Sequence, residues 1–343
     1  MRSAVFLIGL GVLGASCLEL RPGSQSAADW RDPSPHQVRR MMVDSSVRLE
    51  VLDWGGSGRP VVLLGCYLTA HVYDEFAPKL TDQFRVYGIT RRGIGASDKP
   101  TTGYSVQRSA EDVREVLESL GLENAILVAT SCAGQILNPL ASEHPDLVGG
   151  LVYLNAAEDP TLTPADYDPP LPDFAKLPPS IRPAPAPDYR SFEAYRTAQR
   201  RDHGVAFPES ELRQGFVENP DGSMGLSGSS SFAVVRKAIT EDARIKPDYS
   251  QIRAPALAIF SAPRTVADLE HDMPPRNEQE RAVLHQQHAA ERAMVSRWQR
   301  DLLAGIPAAR IVELPRANLY MFLSNEADVL REVRAFAATL IGR

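Results

Sequence analysis

The stretch from Asn124 to His144 constrains the fold of this chain more than any other part of the sequence. It begins with an uninterrupted apolar run, Ala125 to Ala129, whose length and composition are typical of a strand buried on both faces. A turn follows, and apolar residues then recur at helical spacing from Gln135 to Glu143. Because the turn contains Ser131, the stretch has the layout of a nucleophile elbow: a strand, a sharp turn and a helix.

A nucleophile elbow needs small residues around its serine, because the serine backbone is strained and the strand and helix pass close together. The glycines that usually stand two positions before and two positions after the serine are replaced here by Ala129 and Ala133, which are still small. An ordinary serine in a strand-to-helix turn would give the same pattern. This stretch alone therefore leaves both interpretations open.

Strands and helices alternate on both sides of the elbow. Residues 41–55 alternate between apolar and polar side chains and predict an antiparallel hairpin. Further strands are predicted at Pro60–Leu64, Phe84–Ile89, Val148–Asn155, Ala256–Phe260 and Arg310–Leu314, and helices at Tyr73–Leu80, Val106–Leu120, Glu278–Leu303 and Glu326–Leu340. This order is typical of an α/β fold with a parallel sheet covered by helices on both faces.

The alternation is interrupted after residue 157. Ten prolines fall between Pro160 and Pro187, which excludes regular helices and central strands from that segment. We therefore expect a core formed by residues 40–157 and 251–343. Residues 158–250 would be a proline-rich and helical lid, inserted over the sheet edge at which open α/β sheets bind ligands.

The N-terminal residues predict export. An apolar run from Ala4 to Ala15 is too short to span a bilayer and about the length of a signal-peptide core. A signal peptide of residues 1–17 would be cleaved beside Cys17 and leave a lipid-anchored protein, as in bacterial lipoproteins. Cleavage near residue 28 would instead release a periplasmic or extracellular protein.

The residues after the signal peptide, 18–39, indicate a polar linker. The alternative is that translation starts at Met41 or Met42, which begin the first regular segment of the chain. In that case the protein would remain in the cytoplasm.

Composition excludes several classes of function. A net charge of −6 provides no basic surface for nucleic acid. The three cysteines, Cys17, Cys66 and Cys132, are too few for a disulfide framework, and no cysteine or histidine spacing is typical of a metal site. We therefore expect a small-molecule substrate or ligand, no metal and no cofactor.

Four local patterns follow one another between Met41 and the C-terminus. They are the hairpin leading into PVVLL, the loop RRGIGASDKP, the elbow LVATSCAG and the tail ELPRANLYMFLSNEADVLREVRAF. In this order they resemble the α/β-hydrolase family. The resemblance implies an eight-stranded, mostly parallel sheet and a nucleophilic role for Ser131.

The resemblance also locates two substituted positions. The family uses a serine, an acid and a histidine in that chain order. The acid is expected just after the strand that ends at Phe260, where this chain has Arg264. The histidine is expected just after the strand that ends at Leu314, where this chain has Leu319. The comparison thus implies a degenerate catalytic triad.

The oxyanion hole uses backbone N–H groups, so side-chain substitutions affect it less than they affect the triad. The resemblance implies one donor at Cys132 and another at Cys66 or Tyr67. Because these segments would meet at Ser131, we expect Cys66 and Cys132 to lie close together. In an oxidising compartment they could pair if their Cα atoms lie within about 7 Å. We expect two free thiols instead, since a disulfide would distort the hole.

His71 is the first candidate for a replacement base, because it follows the oxyanion loop. The other interpretation is a solvent-facing loop histidine. Weaker candidates for the base or the acid are His203, His271, His285, His288, Asp268, Glu158 and Asp159.

Two functions remain open from the sequence. The first is an exported serine hydrolase of a small ester or amide, with Ser131 as nucleophile and His71 or another group as base. The alternative is a non-catalytic relative that binds a small apolar ligand or a partner protein. A cofactor-free lyase is a third hypothesis.

Overall fold

The computed structural model describes residues 30–170, 188–227 and 232–340. The strands are β1 (Gln37–Val43), β2 (Val47–Gly55), β3 (Arg59–Leu64), β4 (Phe84–Ile89), β5 (Ala125–Thr130), β6 (Val148–Leu154), β7 (Phe216–Glu218), β8 (Met224–Leu226), β9 (Ala256–Ser261) and β10 (Arg310–Leu314). Eight of them form one sheet in the order β1-β2-β4-β3-β5-β6-β9-β10. The pairs β1–β2 and β2–β4 are antiparallel, and the other neighbouring pairs are parallel. The predicted fold class is confirmed.

The helices are α1 (Val106–Ser119), α2 (Gly134–Glu143), α3 (Phe192–His203), α4 (Glu209–Leu212), α5 (Phe232–Asp242), α6 (Val266–Asp272), α7 (Glu278–Gly305), α8 (Met321–Ser324) and α9 (Glu326–Ala338). The sequence predicts one helix at residues 73–80. The structure instead has two 3₁₀ turns, Ala70–Tyr73 and Ala77–Leu80. Pro78 has no N–H to donate into a continuous helix there. Within the described ranges, no helix combines the length and apolar character that crossing a membrane requires.

The apolar run of β5 is explained by burial on both faces of the sheet. Ile126 and Val128 pack into an apolar cluster on one face, whereas Leu127 and Ala129 pack into a second cluster on the other. Successive side chains of a strand point to opposite faces, so both sets must be apolar. The sheet thus fixes β5 firmly beneath the turn that contains Ser131.

The insertion between β6 and β9 contains α3, α4, α5 and the hairpin of β7 and β8. Most of the predicted proline-rich segment, residues 171–187, lies outside the described residues. The described part packs on itself through aromatic side chains, with the rings of Tyr189 and Tyr195 stacked 5.5 Å apart. The insertion therefore contains regular elements of its own, as the sequence predicted.

The residues just before β1 differ from the predicted linker. β1 begins at Gln37, three residues before the expected start of the core. The Arg213 guanidinium lies over the ring of Trp30, 4.6 Å from its centroid, and the His36 side chain is buried. Residues 30–36 therefore pack against the fold. The predicted signal peptide and Cys17 lie outside the described residues.

Candidate active site

Ser131 lies in the turn between β5 and α2 with a φ angle of 53°, in the left-handed region that non-glycine residues rarely adopt. The helix begins directly beside the end of β6: a Cβ atom on Gly134 would lie 1.9 Å from the carbonyl oxygen of Ala156. Only glycine fits at this position. The strained serine and the close approach of the helix are the geometry expected of a nucleophile elbow.

A small pocket lies at Ser131. Its lining comes from three segments, namely the loop after β3, the elbow and the turn after β10. The lining residues are Cys66, Tyr67, Leu68, Thr130, Ser131, Leu319 and Tyr320. The structure therefore brings together the predicted nucleophile, the predicted oxyanion loop and one of the two substituted triad positions.

Cys66 and Cys132 lie close together, as predicted, but they are bonded to each other. Their Cα atoms are 5.2 Å apart, within the usual range for a disulfide. The prediction of two free thiols is therefore wrong. It assumed that a bond would distort the oxyanion site, whereas the loop after β3 already passes the elbow at bonding distance. The bond joins the residue after Ser131 to the residue before Tyr67.

Leu319 occupies the part of the pocket where the resemblance places a histidine. The preceding residue, Asn318, is held at the carboxyl ends of two strands. Its carbonyl oxygen accepts hydrogen bonds from the Asn155 side chain after β6 (3.4 Å) and from the Ser261 hydroxyl at the end of β9 (3.3 Å). The turn is thus anchored by backbone contacts, and the side chain that it presents to Ser131 is aliphatic.

Arg264 lies outside the lining of this pocket. Its guanidinium Nη2 is 3.2 Å from the Glu291 carboxylate on α7, and its carbonyl oxygen is 2.7 Å from His288 Nδ1. At the predicted acid position the chain therefore has a cation, which pairs with a carboxylate on α7.

His71 is buried and faces carboxylates on both sides of its ring. Nδ1 is 2.8 Å from Asp74, and Nε2 is 3.7 Å from Glu50. Although burial alone would lower it, the nearby carboxylates of Asp32, Asp74 and Glu50 raise the pKa of His71 to about 12. A histidine that keeps its proton at neutral pH cannot accept one from Ser131. His71 also lies outside the pocket lining, so these contacts argue against the predicted role as base and against a solvent-facing position.

The weaker candidates also have other contacts. Asp268 caps α6 through Thr265, and Asp159 accepts hydrogen bonds from Thr161. His285 lies 3.9 Å from Glu270. The side chain of His203 lies outside the described residues. Among the side chains that the structure describes, no histidine is hydrogen-bonded to Ser131.

Comparisons with known proteins agree with this geometry. The family described as "alpha/beta hydrolase fold" matches residues 59–219. The AB hydrolase superfamily protein YisY of Bacillus subtilis (strain 168) is 28% identical over 227 residues, which are 63% of this chain and 78% of that protein. The solved structure of E-2-(acetamidomethylene)succinate hydrolase is similar at 20% identity with a TM-score of 0.57, covering 88% of this chain and 99% of that chain. The chain has the α/β-hydrolase fold, and its sequence is similar to that of α/β-hydrolases over these residues.

A named enzyme of the family also matches. Epoxide hydrolase 1 of Caenorhabditis elegans is 28% identical over 163 residues, 45% of this chain. The match spans 38% of that enzyme, less than half of its length. The chain therefore shares a region of sequence with these hydrolases, while Arg264 and Leu319 stand at the positions where the resemblance implies an acid and a histidine.

The chain also contains a buried carboxylate beside the pocket. Nothing in the sequence indicated this carboxylate. Glu211, on α4 of the insertion, accepts hydrogen bonds from the N–H of Thr69 (3.2 Å) and from its hydroxyl. Burial raises the pKa of Glu211 to about 7. Thr69 lies two residues after Tyr67, so Glu211 fixes the insertion to the loop that lines the pocket. Only the folded chain brings these residues together, and no local motif could have shown it.

Replacing Glu211 with glutamine is expected to reduce the pH dependence of stability. The folded chain keeps a proton on Glu211 that the unfolded chain releases, since the pKa is raised from 4.5 to about 7. The free energy of unfolding should therefore fall as the pH rises through this window. At about pH 8, Glu211→Gln should be more stable than the parent by about 2 kcal/mol.

Urea unfolding across this pH range measures the effect. Glu123→Gln, which changes an exposed glutamate before β5, is the matched control and should follow the parent curve. Parallel curves for the parent and Glu211→Gln would contradict the prediction.

Proposed function

We propose that this protein is a serine hydrolase of a small ester or amide, with Ser131 as nucleophile. The observation that supports this most is the positive φ of Ser131 in a pocket shared with the loop after β3. The N–H groups of Cys132 and of Tyr67 or Cys66 would stabilise the oxyanion. Relatives named as hydrolases support hydrolysis as the class of reaction.

The surroundings of Ser131 predict slow turnover. Removing the histidine of a serine triad costs on the order of 10⁶ in turnover and leaves roughly 10³ to 10⁴ over the reaction in water. The residual rate comes from the oxyanion hole and from substrate binding. With Leu319 at the histidine position, we expect Ser131 to react with activated esters and to turn over slowly.

A non-catalytic role in binding a small apolar ligand is the second candidate. Leu319 favours it, because an aliphatic side chain in the pocket adds apolar contact surface where a histidine would react. The oxyanion donors would then hold a carbonyl group of the ligand without attack by Ser131.

Export remains part of the proposal. The Cys66–Cys132 disulfide supports it, because disulfides persist in oxidising compartments and are rare in the cytosol. Under this proposal the N-terminal residues direct the chain to the periplasm or the medium, with Cys17 as a site for a lipid anchor.

Hydrolysis of p-nitrophenyl acetate by the purified chain tests the proposal. After subtraction of the rate in buffer alone, we expect Ser131→Ala to hydrolyse the ester at least about tenfold more slowly than the parent, because the measured rate depends on the nucleophile. Ser119→Ala, an exposed serine at the end of α1, is the control and should keep the parent rate. Equal rates for the parent and Ser131→Ala would favour the non-catalytic role in ligand binding.

A further inference from the structure

A buried group of two histidines and two aspartates lies outside the Ser131 pocket. Asp32 and His36 come from the segment before β1. His71 lies in the 3₁₀ turn after the oxyanion loop, and Asp74 is the C-cap of that turn. One nitrogen or oxygen atom from each residue lies within 4.8 Å of those of the other three. The four side chains are 22%, 4%, 7% and 3% exposed, in chain order. We call this group the His–Asp cluster.

Asp74 lies at the centre of the His–Asp cluster. Its Oδ1 is 2.9 Å from His36 Nδ1, and its Oδ2 is 2.8 Å from His71 Nδ1. Asp32 Oδ2 is 3.4 Å from His71 Nδ1 and 3.8 Å from His36 Nε2. Neighbouring ligands of a tetrahedral ion with bonds of about 2.0–2.1 Å lie roughly 3.3 Å apart. The observed distances involve both nitrogens of His36 and both oxygens of Asp74, so binding an ion would require these side chains to rotate until one atom of each faces it.

The surrounding residues already contact two of the four side chains, His71 and Asp74. Nε2 of His71 faces the Glu50 carboxylate at 3.7 Å, on the side away from the cluster. Asp74 accepts hydrogen bonds from Trp54 Nε1 at 3.1 Å and from the Ser210 hydroxyl at 2.6 Å. Metal-binding histidines usually donate their second N–H to a carboxylate, and metal-binding carboxylates are themselves hydrogen-bonded. The His–Asp cluster has both kinds of support.

We propose that the His–Asp cluster binds one zinc ion, with Asp32, His36, His71 and Asp74 as its ligands. Imidazole nitrogen and carboxylate oxygen are both zinc ligands, and four protein ligands complete a tetrahedral site. Two carboxylates neutralise the double charge of the ion, and two imidazoles complete the set, with His71 releasing its Nδ1 proton to solvent as the ion binds. Because the four protein ligands leave no open position for a water molecule or substrate, the site is structural.

The ion would join two parts of the chain that are distant in sequence. Asp32 and His36 hold the segment before β1, which the sequence alone indicated as a linker. His71 and Asp74 lie directly after the loop that lines the Ser131 pocket. Zinc would therefore fasten the N-terminal segment to the base of that loop and stabilise the folded chain without touching Ser131.

The test uses the full 343-residue chain without a histidine tag. The chain is stripped with a chelator, dialysed against Zn²⁺, freed of excess metal and measured for bound zinc by elemental analysis. We expect one zinc ion per chain and a rise in Tm of about 5 °C over the stripped protein. Co²⁺ in place of Zn²⁺ should give the intense visible absorption of a four-coordinate ion.

The variant Asp32→Asn with His36→Gln removes two ligands from a segment that precedes the sheet, so the core should still fold. Its circular dichroism should match the parent, while its affinity for Zn²⁺ should fall at least about tenfold and its Tm should no longer respond to zinc. His144→Ala is the matched control. This histidine belongs to a more exposed group with Glu111 and Glu143, and the variant should bind zinc as the parent does.

A parent chain that retains no zinc and shows no Tm response would overturn the proposal and leave the four residues as a hydrogen-bonded network. Equal zinc binding by the parent and the double variant would also overturn it, since the metal would then lie elsewhere.

Discussion

Leu319→His combined with Arg264→Asp is expected to raise the rate of hydrolysis of a small activated ester at least about tenfold, a decrease of about 1.4 kcal/mol in the barrier. Leu319 lines the Ser131 pocket, so an imidazole at this position would face the nucleophile and could take its proton. An aspartate at position 264 would release the pairing with Glu291 and supply a carboxylate to orient the imidazole. Leucine and histidine are similar in bulk, and the cost in stability should be about 1–2 kcal/mol at most.

Each single variant should gain little, because triad residues act as a unit. Leu319→Asn with Arg264→Asp is the matched control, since asparagine is polar but does not act as a base at neutral pH. Adding Ser131→Ala to the active double variant should remove the gain. A well-folded double variant with no gain would mean that the Ser131 pocket does not hold the catalytic geometry of the family.

Loss of the Cys66–Cys132 bond is expected to lower the free energy of unfolding by about 4 kcal/mol. The bond closes a loop of 66 residues, and its loss increases the conformational entropy of the unfolded chain. Both cysteines are buried, so alanines at these positions also remove packing around the elbow. Urea unfolding of Cys66→Ala with Cys132→Ala, compared with the parent, measures the change.

The third cysteine provides a control for this experiment. In the unprocessed 343-residue chain, Cys17→Ala removes a thiol without changing the bond, so its unfolding curve should match the parent. A reductant should destabilise the parent and leave the double alanine variant unchanged. If the parent and the double variant unfold at the same urea concentration, or if the parent has three free thiols, the bond does not contribute as we expect.

The sheet could be predicted from the sequence because its signals are local. β5 is buried on both faces, which requires a continuous apolar run, and the predicted run from Ala125 to Ala129 ends one residue before the strand does. The strand, turn and helix around Ser131 could be predicted for a similar reason, whereas the interpretation as a nucleophile elbow also needed the family resemblance. The same resemblance pointed to Leu319 as the histidine position, and Leu319 lines the pocket in the structure.

The rest depends on contacts between distant segments, which no local pattern encodes. His71 has the sequence context of a loop histidine, but Asp32 and Glu50 come close to it only in the folded chain. The distance between Cys66 and Cys132 is set by how the loop after β3 crosses the elbow. The His–Asp cluster joins residues from two separate segments, so its spacing does not resemble a metal motif.

We propose that Ser131 is a nucleophile that lacks a histidine to complete its reaction. Intact-mass analysis after incubation with p-nitrophenyl acetate, followed by peptide mapping, would detect the acyl-enzyme that this proposal requires. We expect one acetyl group per chain, located on Ser131, that persists because no imidazole activates water to remove it. An unmodified Ser131, or rapid turnover with no acetylated chain, would contradict it.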